Sequence, residues 1–298
     1  MIDRVCSCIG ENDIFIITSF AMTIFISKSM QGIDWKCESM EKVELGWDEF
    51  WAEIIRVRNR QSIQGIDQYD KLVVSFIIEV LNLKKGNEIL DIACGAGYQS
   101  IEFAKQGFKV TAFDIAQSLI GFAKRSAKDA KVDVNFYAGD MRDMSFKSQF
   151  KAAVMLSHSF GFFDHEMNKH VLKETYDALL EGGCLLLDLM NPYNLPKFQK
   201  TWTQLEEGFL LNEPHVLDAH AGVLIGRPAV FIDIEEDRLV LMDKDALSNN
   251  DTRVYTALEI REMLEEVGFS KVEFYGQHFL PRLPYASNSE RMVVIAHR

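Results

Sequence analysis

Residues 88–98 read Glu88-Ile-Leu-Asp-Ile-Ala-Cys-Gly-Ala-Gly-Tyr98. Apolar residues flanking a lone Asp91 make a buried strand, and that strand runs into Gly95 and Gly97. Glycines there let the backbone pass close to a ligand, because no Cβ stands in the way. The helix beyond them presents free backbone N–H groups in its first turn. A lone G-x-G also suits any tight strand–helix turn. Asp91, inside the strand and four residues ahead of Gly95, makes the stretch more specific.

Working outward, short apolar runs alternate with helical periodicity. Strands are predicted at Glu88–Ala93, Lys109–Phe113, Val134–Tyr137, Ala152–Leu156 and Cys184–Leu189. Helices are predicted between them at Gln99–Gln106, Gln117–Ala130 and His165–Leu180, with Asp48–Arg60 and Asp70–Leu81 ahead of the first strand. Crossovers of this length imply a mostly parallel sheet covered on both faces. After Asn191 the pattern changes to short alternating stretches. Val223–Lys244 reads as strand, turn, strand, with Glu235-Glu236-Asp237 near the turn. Thr256 and Glu259 form a capping box for a helix over Ala257–Val267, which Gly268 ends. Strands at Lys271–Tyr275 and Arg291–Ala296 close the chain. The expected division is an extension over 1–46, a main domain over 47–191 and 252–298, and an antiparallel insertion over 192–251 that lids the site.

Two further strand ends carry acids. Val110-Thr-Ala-Phe-Asp114 ends where nucleotide-binding sheets receive a ribose, whose two hydroxyls one carboxylate can accept. The same Asp114 would also cap the next helix. Val134 to Met141 ends in Gly139-Asp140, an ordinary turn when taken alone. In series with the others, Asp140 can accept an adenine amine while the next backbone N–H reaches the ring.

The stretches LDIACGAGYQSIEFAKQGFKVTAFDIAQSLIGFAK, YAGDMRDM and LSHSFGFFDHEMNKHVLKETYDALLEGGCLLLDLMN together resemble the class I S-adenosylmethionine-dependent methyltransferases. The likeness is nearest the small-molecule branch, which carries an antiparallel insertion after strand five. It runs from about Trp47 to the end of the chain. It implies a Rossmann-like, seven-stranded, mostly parallel α/β sheet with a reversed last strand, and S-adenosyl-L-methionine as cofactor. It also implies that Asp91, Gly95 and Gly97 surround the methionine moiety, Asp114 holds the ribose, and Asp140 with Met141 frames the adenine. Ala93, Ile115 and Ser157 complete the expected cofactor set. Glu181 stands where the family's turn before strand five usually has proline.

A nicotinamide dehydrogenase would want a third glycine where Ser100 stands. A nucleic-acid base methylase would want an Asn/Asp-Pro-Pro-aromatic run after strand four, where Leu156-Ser157-His158-Ser159-Phe160-Gly161 stands instead. A methyltransferase acting on protein or RNA and a non-catalytic scaffold remain as alternatives. His158, at the end of strand four, is the candidate general base; the competing reading is a hydrogen-bonded loop histidine. Phe160, Phe162 and Phe163 offer either an apolar wall for a sulfonium or plain core. Phe162, Arg253 and Tyr255 are the candidate substrate contacts.

The charge balance agrees with a small-molecule acceptor. The 298 residues carry 32 Lys and Arg against 44 Asp and Glu, a net charge of −12, which repels phosphate backbones. Nucleic acid is therefore not the expected partner. The five cysteines, Cys6, Cys8, Cys37, Cys94 and Cys184, lack paired CxxC spacing, so neither a disulfide framework nor a zinc site is expected. Ile14–Ile26 is apolar but short of the about twenty residues that span a membrane. It lacks the basic start and cleavage site of a signal peptide. It reads as a packed extra segment or as sequence ahead of a later start at Met30 or Met40. Reduced thiols and the lack of an anchor point to the cytoplasm, without stable membrane association.

Overall fold

The computed structural model describes residues 41–46, 49–50, 53, 64–195, 201–205, 208–212, 216–218, 220–225, 230–233, 238–242 and 251–298. The apolar run Ile14–Ile26 and most of the expected helix Asp48–Arg60 lie outside them. No described helix is long and apolar enough to cross a membrane.

In chain order the elements are β1 (Glu41–Leu45), α1 (Gln64–Val80), β2 (Glu88–Ile92), α2 (Tyr98–Lys105), β3 (Lys109–Asp114), α3 (Gln117–Asp129), β4 (Asn135–Ala138) and β5 (Phe150–Met155). They continue with α4 (His165–Ala178), β6 (Leu179–Met190), β7 (Thr201–Leu205), β8 (Gly208–Asn212), β9 (Val216–Asp218) and β10 (Val223–Ile225). The last are β11 (Val230–Asp233), β12 (Arg238–Met242), β13 (Thr252–Arg253), α5 (Ala257–Val267), β14 (Lys271–Tyr275) and β15 (Arg291–His297).

Seven strands form the main sheet in the order β14-β15-β6-β5-β2-β3-β4. β2, β3, β4, β5 and β6 pair in parallel, and β15 runs antiparallel to both of its neighbours. The expected sheet with its reversed last strand is therefore present. Successive strand residues point to opposite faces, so Ala152, Val154 and Leu186 enter one core layer with Val74 and Ile77 of α1, Phe103 of α2 and Ile120 of α3. Ala153, Met155, Leu185 and Leu187 enter the other with Val171 and Leu172 of α4 and Ile260 and Leu264 of α5. Two covered faces explain why these strands are nearly all apolar. The capping box of α5 is made as expected: Glu259 N–H donates to Thr256 Oγ1, and Thr256 N–H to Glu259 Oε2 at 2.8 Å.

Some boundaries differ from the sequence reading. α1 begins at Gln64, ahead of the expected Asp70. β6 begins at Leu179, because Leu179 pairs with Phe150 before the register shifts at Ala152, and the Leu180–Gly183 turn is absorbed as that irregularity. The insertion builds two small sheets, ordered β1-β12-β11-β8-β7 and β13-β10-β9. β1 comes from the expected N-terminal extension and pairs in parallel with β12. That is the one non-antiparallel pairing among the described insertion strands. A pairing across so long a chain separation leaves no mark in local periodicity.

The chain reaches β4 at one edge and returns to β5 beside β2. Strand order therefore reverses between β2 and β5. In open α/β sheets the ligand site lies outside the carboxyl ends of the strands at such a reversal.

Candidate active site

The β2–α2 turn is built from residues in left-handed backbone: Ala93 at φ 57°, Gly95 at 54° and Gly97 at 74°. The two glycines serve different ends. A Cβ on Gly97 would lie 2.6 Å from the Phe136 ring, so Gly97 is required by packing. A Cβ on Gly95 would meet nothing within 4 Å, so that face of the turn opens on free space.

Asp114 ties this turn to its neighbours. Gly95 N–H donates to Asp114 Oδ2 at 2.8 Å, and Ala116 N–H donates to Oδ1 at 2.9 Å. Gly139 N–H, from the turn after β4, donates to the Asp114 carbonyl at 3.0 Å. Asp114 does not cap α3, whose N-cap is Ala116; it closes a turn just ahead of the helix. Each carboxylate oxygen can accept a second bond, so that turn leaves acceptors for a ligand. Burial raises the Asp114 carboxyl above its ordinary value, and the N–H donors of Ala116 and Gly95 oppose the rise. Ile115 follows with 62% of its surface exposed, a large apolar side chain at the rim of the open space.

Asp91 is placed differently. It is buried and accepts a hydrogen bond from Ser100 Oγ in the first turn of α2. Its carboxylate faces the loop interior rather than the open face. Burial pushes it up to about 7, with the Ser100 bond opposing and the Asp114 charge adding. Asp140 accepts from Arg142 Nε at 3.0 Å on both oxygens, and Arg142 lies over the Phe163 ring at 4.9 Å. That pairing lowers the Asp140 carboxyl. Met141 and Phe162 are half-buried beside it.

Across the strand reversal, Ser157 and His158 stand at the end of β5 with φ of 54° and 64°. Two consecutive non-glycine residues in left-handed backbone cost free energy and persist only where their surroundings fix them. The fixing group is Asp188 of β6. Its Oδ2 accepts from Ser157 N–H at 3.0 Å, and its carbonyl accepts from His158 N–H at 3.0 Å. The Asp188 carboxylate also accepts from Arg291 Nη1 at 2.8 and 3.0 Å. His278 Nδ1 lies 3.4 Å from Asp188 Oδ2, and His278 Nε2 is 3.0 Å from the Tyr69 hydroxyl of α1. His158 Nε2 is 3.2 Å from Arg291 Nη1. Burial pushes Asp188 up, but His278 and the Arg291 charge outweigh it and hold the carboxyl well below the usual range. Burial lowers His158 to about 4, with Asp188 opposing and Arg291 adding to the fall.

His158 also lines a cleft with Phe160, Leu189, Met190 and the segment Thr252–Tyr255, which returns from the insertion. Arg253 N–H donates to the Gly161 carbonyl at 2.7 Å, which seats β13 on the loop after β5. The Arg253 guanidinium bonds to the Ala221 carbonyl and to Glu259 at 3.3 Å. Tyr255 is buried at 3% exposure, and its hydroxyl accepts from Asn168 Nδ2 at 3.0 Å. Both border the cleft, yet both are largely committed to holding the insertion and core together.

Residues 89–183 match the family model described as a methyltransferase domain. Residues 89–183 are therefore a methyltransferase domain, set in a reversed seven-stranded sheet of the class I S-adenosylmethionine-dependent type. A chain of Geobacillus sp. named as a methyltransferase is 28% identical over 36% of this chain, and the match spans 44% of that relative. The glycine/sarcosine N-methyltransferase of Aphanothece halophytica is 26% identical over 78% of this chain and 81% of its own length. An S-adenosylmethionine-dependent methyltransferase of Clostridium acetobutylicum shares the fold, with a TM-score of 0.66, 17% identity and coverage of 83% of this chain and 98% of that one.

Four residues of the methyltransferase domain's polar cluster are absent from the sequence expectations: Tyr69, Asp188, His278 and Arg291. Asp188 left a trace, an acid inside the apolar run Leu185–Leu189, just as Asp91 interrupts β2. The other three left none, since Tyr69 and His278 are 209 residues apart in the chain.

Proposed function

We propose that the chain is a cytoplasmic S-adenosylmethionine-dependent methyltransferase that moves a methyl group to a nitrogen or oxygen of a small molecule. The observation that carries the reading is Asp114. Its buried carboxylate joins the turns after β2 and β3 at the strand reversal, its backbone carbonyl takes the turn after β4, and the carboxylate keeps acceptor capacity beside an open glycine face. The residues fit the cofactor. Asp114 would accept the ribose hydroxyls, Gly95 and Ala93 would pass the methionine portion, and Ile115 with Met141 would flank the adenine. Asp140 would meet the adenine amine, Ser157 would border the methyl end, and Asp91 would hold the turn in shape through Ser100. When bound, S-adenosylmethionine supplies an electrophilic methyl carbon, so the chain's own task is to orient the acceptor and exclude water. The insertion, returning over Gly161 and the cleft, serves as the lid. The net charge of −12 favours a small acceptor over nucleic acid.

Calorimetry with S-adenosylmethionine tests the cofactor assignment. The protein should bind it, and Asp114→Ala should weaken binding on the order of 10- to 150-fold, equal to about 1.5–3 kcal/mol for hydrogen bonds to a charged group. Unchanged affinity in the variant overturns the ribose role. Labelled-methyl transfer to pooled metabolites, proteins and RNA then tests the acceptor class. Label entering only macromolecules rules out the enclosed small-molecule site.

A further inference from the structure

The protonation pattern around Asp188 is fixed by which groups can only donate. A guanidinium has no acceptor. Arg291 Nη1 has two hydrogens, and one faces the Asp188 carboxylate while the other faces His158 Nε2. His158 Nε2 must therefore offer its lone pair to Arg291, and the proton of the neutral ring sits on Nδ1. That Nδ1 is buried with no hydrogen-bond partner among the described residues. His158 consequently has no free lone pair with which to take a proton.

His278 is held the other way. Its Nδ1 also makes no hydrogen bond, but the carboxylate of Asp188 stands 3.4 Å away, which favours the proton on Nδ1 and leaves Nε2 to accept from the Tyr69 hydroxyl. The three groups form a line from a phenol that is 38% exposed to an imidazole and a carboxylate that are each 2% exposed. Tyr69 reaches the carboxyl end of the sheet through His278, because Asp188 accepts the Ser157 and His158 backbone N–H groups at the end of β5.

We propose that the proton acceptor of this site is the Tyr69–His278–Asp188 chain, and that Arg291 withdraws His158 from that role. The proposal rests on the methyltransferase reading above and narrows its substrate to a small molecule whose amine or hydroxyl arrives carrying a proton. A bond forming to the methyl carbon would displace the donor sulfur as a neutral thioether, and the acceptor's N–H or O–H bond then breaks as its proton passes to Tyr69 Oη. The Tyr69 proton passes to His278 Nε2, and the resulting imidazolium faces the Asp188 carboxylate. After product leaves, the proton returns through Tyr69 to solvent. The 3.4 Å separation at Asp188 is long for a hydrogen bond, and such bonds tighten when the imidazole becomes charged. Burial raises the Tyr69 phenol, so it stays protonated at neutral pH and has a proton to hand on. The charged and titratable groups around the chain are Asp70 and Tyr69 on α1, His158 after β5, Asp188 on β6, and Arg291 on β15.

Nitrogen-detected NMR of the histidine rings in the full chain decides it. His278 should carry a proton on Nδ1 and a lone pair on Nε2, and His158 should carry its proton on Nδ1 as well. Tyr69→Phe should shift the His278 Nε2 resonance toward that of an unbonded lone pair, more than it shifts any other histidine. His278 protonated on Nε2, or His158 with its lone pair on Nδ1, overturns the proposal from the wild type alone, whatever the variant does. S-adenosylmethionine calorimetry on the same sample separates the two readings. Absent binding with the expected tautomers sinks the methyltransferase reading, while binding with reversed tautomers sinks only the relay.

Discussion

The carboxyl end of the sheet has two halves, and they are built differently. The half proposed to hold the cofactor, at β2, β3 and β4, is closed by backbone N–H groups that meet one strand-end acid over short chain distances. Gly95 and Asp114, its central pair, are 19 residues apart. The acceptor half, at β5, β6 and β15, is closed by side chains. Asp188 meets Arg291 across 103 residues, and Tyr69 meets His278 across 209. A half made of distant side chains can be refitted to a new acceptor without disturbing the first.

The sharpest way to break this division is kinetic. With the acceptor that takes up label, Tyr69→Phe should lower kcat about 10²- to 10⁴-fold, the range for lost proton transfer. Its S-adenosylmethionine affinity should stay within about twofold, and His158→Gln should cost less than about tenfold in kcat. Equal losses in both variants, or cofactor binding that falls along with kcat, would erase the separation.

Stability against pH probes both halves at once. His158 sits at about 4 in the folded chain, below its ordinary value of about 6.5. Between those pH values the unfolded chain holds a proton that the folded chain lacks, so stability falls as pH drops through that window. Asp91 sits at about 7 when folded, above its ordinary value of about 3.9. Its contribution has the opposite sign, and stability is lost as pH rises from about 3.9 to about 7. Asp114, also raised, acts with Asp91. Asp188 is lowered, and its contribution is lost only below the ordinary carboxylate range. The His158 and Asp91 contributions are each on the order of 3–4 kcal/mol and oppose one another. With Asp114 adding to Asp91, the wild type should change less between pH 4.5 and 6.5 in urea denaturation than either single variant does. Asp91→Asn should lose stability toward pH 4.5, and His158→Gln should lose it toward pH 6.5. Parallel curves for the two variants would contradict these assignments.

The smallest effect separates two glycines within the cofactor half. Gly97→Ala drives a methyl into Phe136 and strains a left-handed residue, which should cost about 2–4 kcal/mol in stability. Gly95→Ala meets no protein atom and should cost about 1–2 kcal/mol for the backbone alone. Its methyl occupies the open face, so S-adenosylmethionine affinity should fall further than stability does. Retained affinity in Gly95→Ala would show that the cofactor does not pass that face.

The residues from Glu88 to Asp140 determined the strands and turns of β2, β3 and β4 by themselves. A buried strand, a turn that only glycine tolerates and an acid at the next strand end are local features, and backbone sterics and periodicity express them directly. The reversed last strand and the α5 capping box were legible for the same reason. The acceptor half was not. His158 was visible as a histidine at a strand end, but which of its nitrogens is free depends on Arg291. The role of Asp188 depends on His278 and Tyr69, brought to it by separate elements. The pairing of β1 with β12 was likewise hidden in a segment with no local tie to the insertion. Proton positions follow from which donor faces which lone pair, and only the folded chain sets those neighbours together.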